Sequence, residues 1–158
     1  MSHPIHHSGH TLIELLVVMG MFTILFAVSS FNLLGARSHT SLGTTVDTLL
    51  TDLRGQQTRA MNGDTGGSGS PSDYGVHFLT NGYTLFQAPY SPSDPSNLTV
   101  SLDDVVITNT FPSDEVVFTR GSGEVAGGGA SIRLTGTTSP VGPLIITLNR
   151  FGVIQSVN

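Results

Sequence analysis

The sequence predicts an α+β chain, with one long N-terminal helix followed by a small antiparallel β-rich head. Three observations carry this. An almost unbroken apolar run occupies residues 12–34, a helical apolar rhythm resumes over residues 46–61, and beyond residue 73 the period becomes strand-like between glycine, proline and Asn-Gly turn signals.

Composition narrows the function classes. A chain of 158 residues is one ordinary domain plus an accessory segment. Charged residues are 11% and hydrophobic ones 38%, which fits neither a coiled coil nor an acidic disordered protein. The six basic residues are all arginine (Arg37, Arg54, Arg59, Arg120, Arg133 and Arg150), spread singly in a chain of net charge −5. Nucleic-acid binding needs clustered cations to neutralise phosphates, so no nucleic-acid partner is expected. With no cysteine there is no disulfide framework and no thiol chemistry.

The apolar run is broken only by Glu14, Thr23, Ser29, Ser30 and Asn32. Its length of about 23 residues corresponds to roughly 34 Å of helix, enough to cross a ~30 Å hydrocarbon core. Ordinary secretory signals have a shorter apolar region, about 7–15 residues, ahead of a small-residue cut. Ala27-Val28-Ser29 imitates such a cut. Against a removable signal stands Glu14 at the mouth of the run, directly after Gly9-His10-Thr11-Leu12-Ile13.

The stretch Gly9-His10-Thr11-Leu12-Ile13-Glu14-Leu15-Leu16-Val17-Val18 resembles the processing and methylation motif of type IV prepilins and type II secretion pseudopilins. The resemblance implies a cut by a prepilin peptidase between Gly9 and His10, methylation of the new amino terminus at His10, and an assembly role for Glu14 as the fifth mature residue. The family usually has phenylalanine at the position of His10. Glycine is the stricter requirement for cleavage, so this departure bears on methylation more than on the cut. The leader also departs from the family, because it carries His3, His6 and His7 but no lysine or arginine, while Arg37 lies beyond the helix. By the positive-inside rule alone, that single arginine favours the opposite orientation; the motif outweighs it.

Physical reasoning gives Glu14 the same role. A carboxylate at mid-bilayer costs about 2.5–3.5 kcal/mol on insertion scales, and less near a helix end. Once buried it needs a partner, and the family supplies one in the positively charged mature amino terminus of a neighbouring subunit. Opposite charges in low dielectric also set register between otherwise featureless apolar helices. The plainer reading is a glutamate snorkelling to the headgroups.

Past the apolar run, Val46, Leu49, Leu50, Leu53, Ala60 and Met61 follow the i, i+3, i+4, i+7 rhythm, with Asp47, Thr51, Asp52, Arg54 and Arg59 mostly opposite. Gly35 and Gly43 each weaken this join by about 1 kcal/mol relative to alanine, and Asn62-Gly63 supplies the stop. Residues 63–73 read as a flexible connector. Its glycines are not a phosphate loop, because no Gly-Lys-Ser/Thr follows. Asp64 and Asp73 are the oxygen donors a calcium ion would use, without regular ligand spacing.

Strands are expected over residues 74–79 and 83–87 around an Asn81-Gly82 hairpin, in a register pairing Phe78 with Leu85 and His77 with Phe86. Both faces of that hairpin are partly apolar, and His77 reads as a packed or rim residue. Further strands are expected near residues 98–102, 105–107, 116–118, 131–135, 144–148 and 153–157. The pieces Asp52-Leu53-Arg54, Tyr74-Gly75-Val76-His77-Phe78, Val117-Phe118-Thr119-Arg120-Gly121 and the closing Ile145-Ile146-Thr147-Leu148 with Phe151-Gly152-Val153-Ile154 resemble the H-type minor pseudopilin head. This implies two small antiparallel sheets packed on the helix, a pilin-like arrangement.

No catalytic constellation is present: no His-Glu-x-x-His, no Gly-x-Ser-x-Gly, and few histidines outside the leader. Asp103-Asp104 and Asp114-Glu115 read as solvated pairs in turns, and Asn97-Leu98-Thr99 as a chance sequon. The expected organisation is a leader (1–9), a transmembrane and assembly helix (10–36), its amphipathic continuation (37–62) and a β-rich head (63–158). The expected protein is a minor pseudopilin or minor pilin without catalytic, cofactor or metal site. The resemblance implies as partners prepilin peptidase, other pilin or pseudopilin subunits, an inner-membrane assembly platform and membrane lipid. It implies a single-pass inner-membrane location, with the head in the periplasm or outside the cell. The alternatives are a major pilin, a DNA-uptake minor pilin and a membrane-anchored secreted β-domain.

Overall fold

The computed structural model describes residues 11–137 and 142–157, and of residues 27–41 the backbone alone. The leader, residues 1–9, and His10 therefore lie outside the described residues. The chain divides into two compact units, Met1–Arg37 and Ser38–Asn158. One helix, α1 (Leu12–Met61), belongs to both, and its bounds run through Gly35 and Gly43 without interruption.

Helix α1 ends where Asn62-Gly63 predicts. Gly63 takes φ 64°. Its N–H donates to the Ala60 carbonyl at 3.1 Å, and the Asp64 N–H donates to the Arg59 carbonyl at 3.0 Å. These are the paired bonds of a Schellman cap, which needs a left-handed residue at that position and so suits glycine.

Among the described residues eight strands follow: β1 (Tyr74–Leu79), β2 (Gly82–Gln87), β3 (Leu98–Ser101), β4 (Val105–Asn109), β5 (Glu115–Phe118), β6 (Ser131–Gly136), β7 (Leu144–Leu148) and β8 (Ile154–Val157). They form two four-stranded sheets, ordered β3-β2-β1-β5 and β4-β6-β7-β8. Every pairing is antiparallel. The fold is thus α+β, a helix with two antiparallel sheets, consistent with a pilin-like fold.

A single core joins the helix to both sheets. Leu42, Val46, Leu49, Leu53 and Ala60 of α1 are buried together with Val76 and Phe78 of the first sheet and Ile132, Leu134 and Ile146 of the second. Fully burying one such large aliphatic side chain is worth roughly 1.5–3 kcal/mol, so the stripe is the main hold of helix on head. Met61 does not join it. It is 51% exposed, because the chain leaves the helix there.

The β1–β2 register differs from expectation by two residues. Phe78 lies opposite Tyr83, His77 opposite Thr84 and Val76 opposite Leu85, so the turn is Thr80-Asn81 and Gly82 is already in the strand. The reason is the neighbouring strand: a Cβ on Gly82 would stand 2.4 Å from the Val100 carbonyl oxygen of β3. Gly82 is required by close strand approach rather than by turn geometry. Because the slip is by two, every side chain keeps its face. On the face carrying His77 and Phe86, Tyr90 from the loop before β3 stacks on His77 at 4.2 Å and tilts against Phe86 at 5.0 Å.

Residues 63–73 are not a loose connector. Asp64 pairs with Arg59 at 2.7 Å, and the Ser72 N–H donates to the Asp64 carbonyl at 3.2 Å. Gln87 Nε2 donates to Ser72 Oγ at 2.7 Å and to the Thr65 carbonyl at 3.2 Å. Glu115 likewise begins β5 instead of sitting in a turn, opposite His77.

Candidate functional site

The first turn of α1 holds Glu14. Its N–H donates to the Thr11 carbonyl at 3.0 Å and the Leu15 N–H to the same oxygen at 3.2 Å. A carboxylate at a helix N-terminus is favoured by the backbone dipole. Glu14 is exposed. Val17, Val18, Met21 and Leu25 follow it at i+3, i+4, i+7 and i+11, so one charge heads an apolar stripe.

The other sides of this segment are equally apolar. Leu12, Ile13, Leu15, Leu16, Met19, Phe22 and Ile24 are 61–83% exposed. A helix that is hydrophobic all round is one that is buried in use, in protein or in lipid. Its one hydroxyl, on Thr23, donates to the Met19 carbonyl at 2.8 Å and so needs no outside acceptor. Among the described residues no helix is long and apolar enough to cross a membrane. Within the N-terminal apolar run the described side chains end at Phe26, and residues 12–26 span only about 22 Å. The expected cleavage and methylation positions, Gly9 and His10, lie outside the described residues, so of the three expected site residues Glu14 alone has a geometry.

The head contains polar arrangements that periodicity did not single out. Tyr83, fully buried on β2, donates its hydroxyl to Asp52 Oδ2 at 2.6 Å. Burial first, and then the Asp52 carboxylate as acceptor, hold this phenol well above its ordinary range. Gln57 Nε2 donates to the carbonyls of Gly123 at 3.0 Å and Phe151 at 2.9 Å, tying α1 to two loops of the second half of the head. Gln56 is buried at 3% exposure. Its signal was present in the sequence: it stands three residues after Leu53 and four before Ala60, on the core side of the helical rhythm.

Asp64 and Asp73 are occupied within the protein. The Gly66 N–H, donating at 3.0 Å, and then Arg59 hold the Asp64 carboxyl below its ordinary range. Asp73 accepts the Arg120 N–H at 2.8 Å. Arg59 also lies 4.3 Å over the ring of Tyr74. Burial first pushes the Tyr74 phenol up, Arg59 opposes this, and the Asp64 charge adds to it. Neither neighbour meets the phenol in a well-formed hydrogen bond. His77 Nδ1 stands 3.4 Å from Glu115. Among the described residues no three metal-ligating side chains come together.

With this geometry in place, residues 6–30 match the family model described as the prokaryotic N-terminal methylation motif. No curated protein and no solved structure matches the chain. The motif supports a structural subunit of the type IV pilin and pseudopilin class, a class that acts by assembly rather than by catalysis. It implies processing by a prepilin peptidase, anchoring at the membrane and assembly with other pilin subunits.

Proposed function

We propose that this chain is a minor pilin or minor pseudopilin that helps to start or cap a type IV filament or secretion pseudopilus. Prepilin peptidase cuts it between Gly9 and His10, and the new terminus at His10 is methylated. Residues 10–36 anchor it singly in the inner membrane, in contact with lipid and the assembly platform, and then pack beside other subunits. The observation that carries the reading is the methylation motif running into a helix apolar on every side, with a carboxylate in its first turn.

No basic residue lies between Thr11 and Phe26, so the counter-charge for Glu14 must come from another group. A neighbour's mature amino terminus meets that need, because it is a cation that assembly brings to the same depth. The two four-stranded antiparallel sheets favour an H-type minor pseudopilin head within this class. Isolated arginines and a net charge of −5 argue against a DNA-binding role.

The experiment is incorporation of a Glu14→Ala subunit into filaments, measured by crosslinking after its cleavage and membrane level are confirmed normal. Insertion should hold or improve, since a costly charge is removed, and incorporation should fail. Incorporation at the wild-type level would show that this carboxylate is not the assembly contact. Gly9→Val should block the cut, and an intact mass starting after Ser29 would restore the secretory-signal reading. Counting copies per filament length separates a minor subunit from a major one.

A further inference from the structure

The two sheets end on β3, β5, β4 and β8, and the first three of these edges are guarded. The outer edge of β5 is taken by the loop after it, where the Ala126 N–H donates to the Val117 carbonyl at 2.8 Å and Phe118 bridges to Val125. On β4 the Ile107 N–H donates to the Thr80 carbonyl at 2.9 Å. The edge at β3 is open, but Asp94-Pro95 stands before it and Asp103-Asp104 after it. Charges and proline beside an edge keep other strands off it.

Strand β8 lacks such residues. Among the described residues, no backbone N–H or C=O of residues 154–157 bonds to backbone outside the pairing with β7. Residues 151–158, Phe-Gly-Val-Ile-Gln-Ser-Val-Asn, contain no charge and no proline. A bulge makes Gln155 the extra residue against β7, which twists the edge without covering it. Exposed apolar side chains gather here as well. Phe151, Val153 and Val157, on β8 or in the turn before it, are 42–56% exposed.

An open edge asks for an extended strand, which alone meets its outward N–H and C=O groups in order. Charge selects which strand. A second β8 laid antiparallel brings no charge against the first, and the two Arg150 residues fall at opposite ends of the pair. Centred on Gln155, this pairing sets Val157 of each copy beside Val153 of the other, covering exposed apolar surface on both. The same construction at β3 would bring Asp94 of one copy toward Asp103 and Asp104 of the other, and like charges oppose it.

We propose that β8 is a docking edge for the β8 of a second copy of this chain, paired antiparallel about a two-fold axis so that the two second sheets become continuous. A contact of this symmetry closes on itself and stops at two copies. The inference concerns the head alone and stands apart from the assembly role of Glu14. One short strand covers far less than the ~1,000 Å² of a stable interface, so the pairing is weak and covalent trapping is the suitable readout.

The chain has no cysteine, so a single introduced thiol reports its own contact. In full-length Gln155→Cys in detergent micelles, the paired thiols would sit on opposed residues about 4.5–5.5 Å apart at Cα, within the ~4.4–6.8 Å that a disulfide spans. Ser101→Cys, exposed on the open edge of β3, controls for crowding within a micelle. Under mild oxidation Gln155→Cys should form disulfide-linked dimer at least about tenfold faster than Ser101→Cys, the ratio given by a contact worth about 1.4 kcal/mol. Adding Ser156→Lys puts a like charge on each copy near the two-fold axis. It should remove most of that advantage while the melting temperature of the reduced protein holds. Equal rates at the two edges would mean crowding alone and would overturn the proposal. So would a fast rate that the folded Ser156→Lys variant leaves unchanged. In cells, a Gln155→Cys adduct with a different protein, and none at twice the mass of this chain, would give the edge to another strand and overturn it too.

Discussion

Residues 12–26 and residues 42–60 belong to the same helix and contain comparable apolar side chains, yet they use them in opposite ways. In the first segment every side is apolar, and the large side chains are exposed. In the second, Leu42, Val46, Leu49, Leu53 and Ala60 form a stripe that is buried on the two sheets, and the polar residues are mostly turned away, with Gln56 buried among the stripe as the exception. Helix propensity does not distinguish the two. The width of the apolar surface does: a stripe can be covered by one head, whereas a helix apolar all round needs lipid or several neighbours.

The largest test of this contrast sets a leucine in one segment against a leucine in the other. Leu53→Ala should cost about 2–5 kcal/mol of head stability, because it opens a cavity at a side chain only 1% exposed in the core. Leu16→Ala should leave the melting of the head unchanged within about 0.5 kcal/mol. Thermal melts of both full-length variants in detergent micelles measure the difference. Equal losses would mean that the two segments share one cooperative unit.

Glycines sharpen the same contrast on a smaller scale. Gly82→Ala places a methyl against the Val100 carbonyl, which β3 must move to admit, at a cost of about 1–3 kcal/mol. At Gly43 an added Cβ meets nothing within 4 Å, so Gly43→Ala should stabilise the helix by roughly 0.5–1 kcal/mol. Chemical denaturation midpoints report both signs. A stabilising Gly82→Ala would mean that β3 does not lie where its carbonyl blocks a side chain.

Tyr83 gives an effect of about 1 kcal/mol at neutral pH, the worth of its bond to Asp52. Its folded-state pKa is raised, so the stability it contributes is present below the unfolded value of ~10 and is lost as pH rises through the folded one. Wild-type protein should therefore lose stability above pH ~10, and Tyr83→Phe should flatten that limb while lowering the neutral plateau. Melting temperature against pH is the measurement, and an unchanged alkaline limb would remove Tyr83 as its source.

The smallest effect is acidic. Asp64 and Asp94 have depressed folded-state values. The first is held down by the Gly66 N–H and Arg59, and the second by the Ser96 N–H and hydroxyl. What they contribute is full above the ordinary value of ~3.9 and fades as pH falls below it. Both are solvent-exposed carboxylates, so Asp64→Asn should blunt this acid limb only slightly, as seen by melting at low pH. A variant with a steeper acid limb would contradict the sign.

Much of this molecule follows from local chemistry. Apolar periodicity determined where α1 buries its stripe, Asn62-Gly63 determined where it stops, and alternation between turn residues located the eight strands found among the described residues. These features depend on residues close in sequence, which is why a pattern of 3.6 or 2 reveals them. The assembly motif is equally local, ten consecutive residues that run into the start of an apolar helix. Other features were decided only when distant segments met. The hairpin register turned on Val100 approaching Gly82, an interaction that Asn81-Gly82 alone does not encode. The apparent looseness of residues 63–73 vanished because Arg59, Gln87 and Arg120 reach them from α1, β2 and the segment after β5. Gln56 and Tyr74, distant in the chain, line one cleft between the helix and the first sheet. A buried polar atom is defined by what surrounds it in space, and that is settled by tertiary packing.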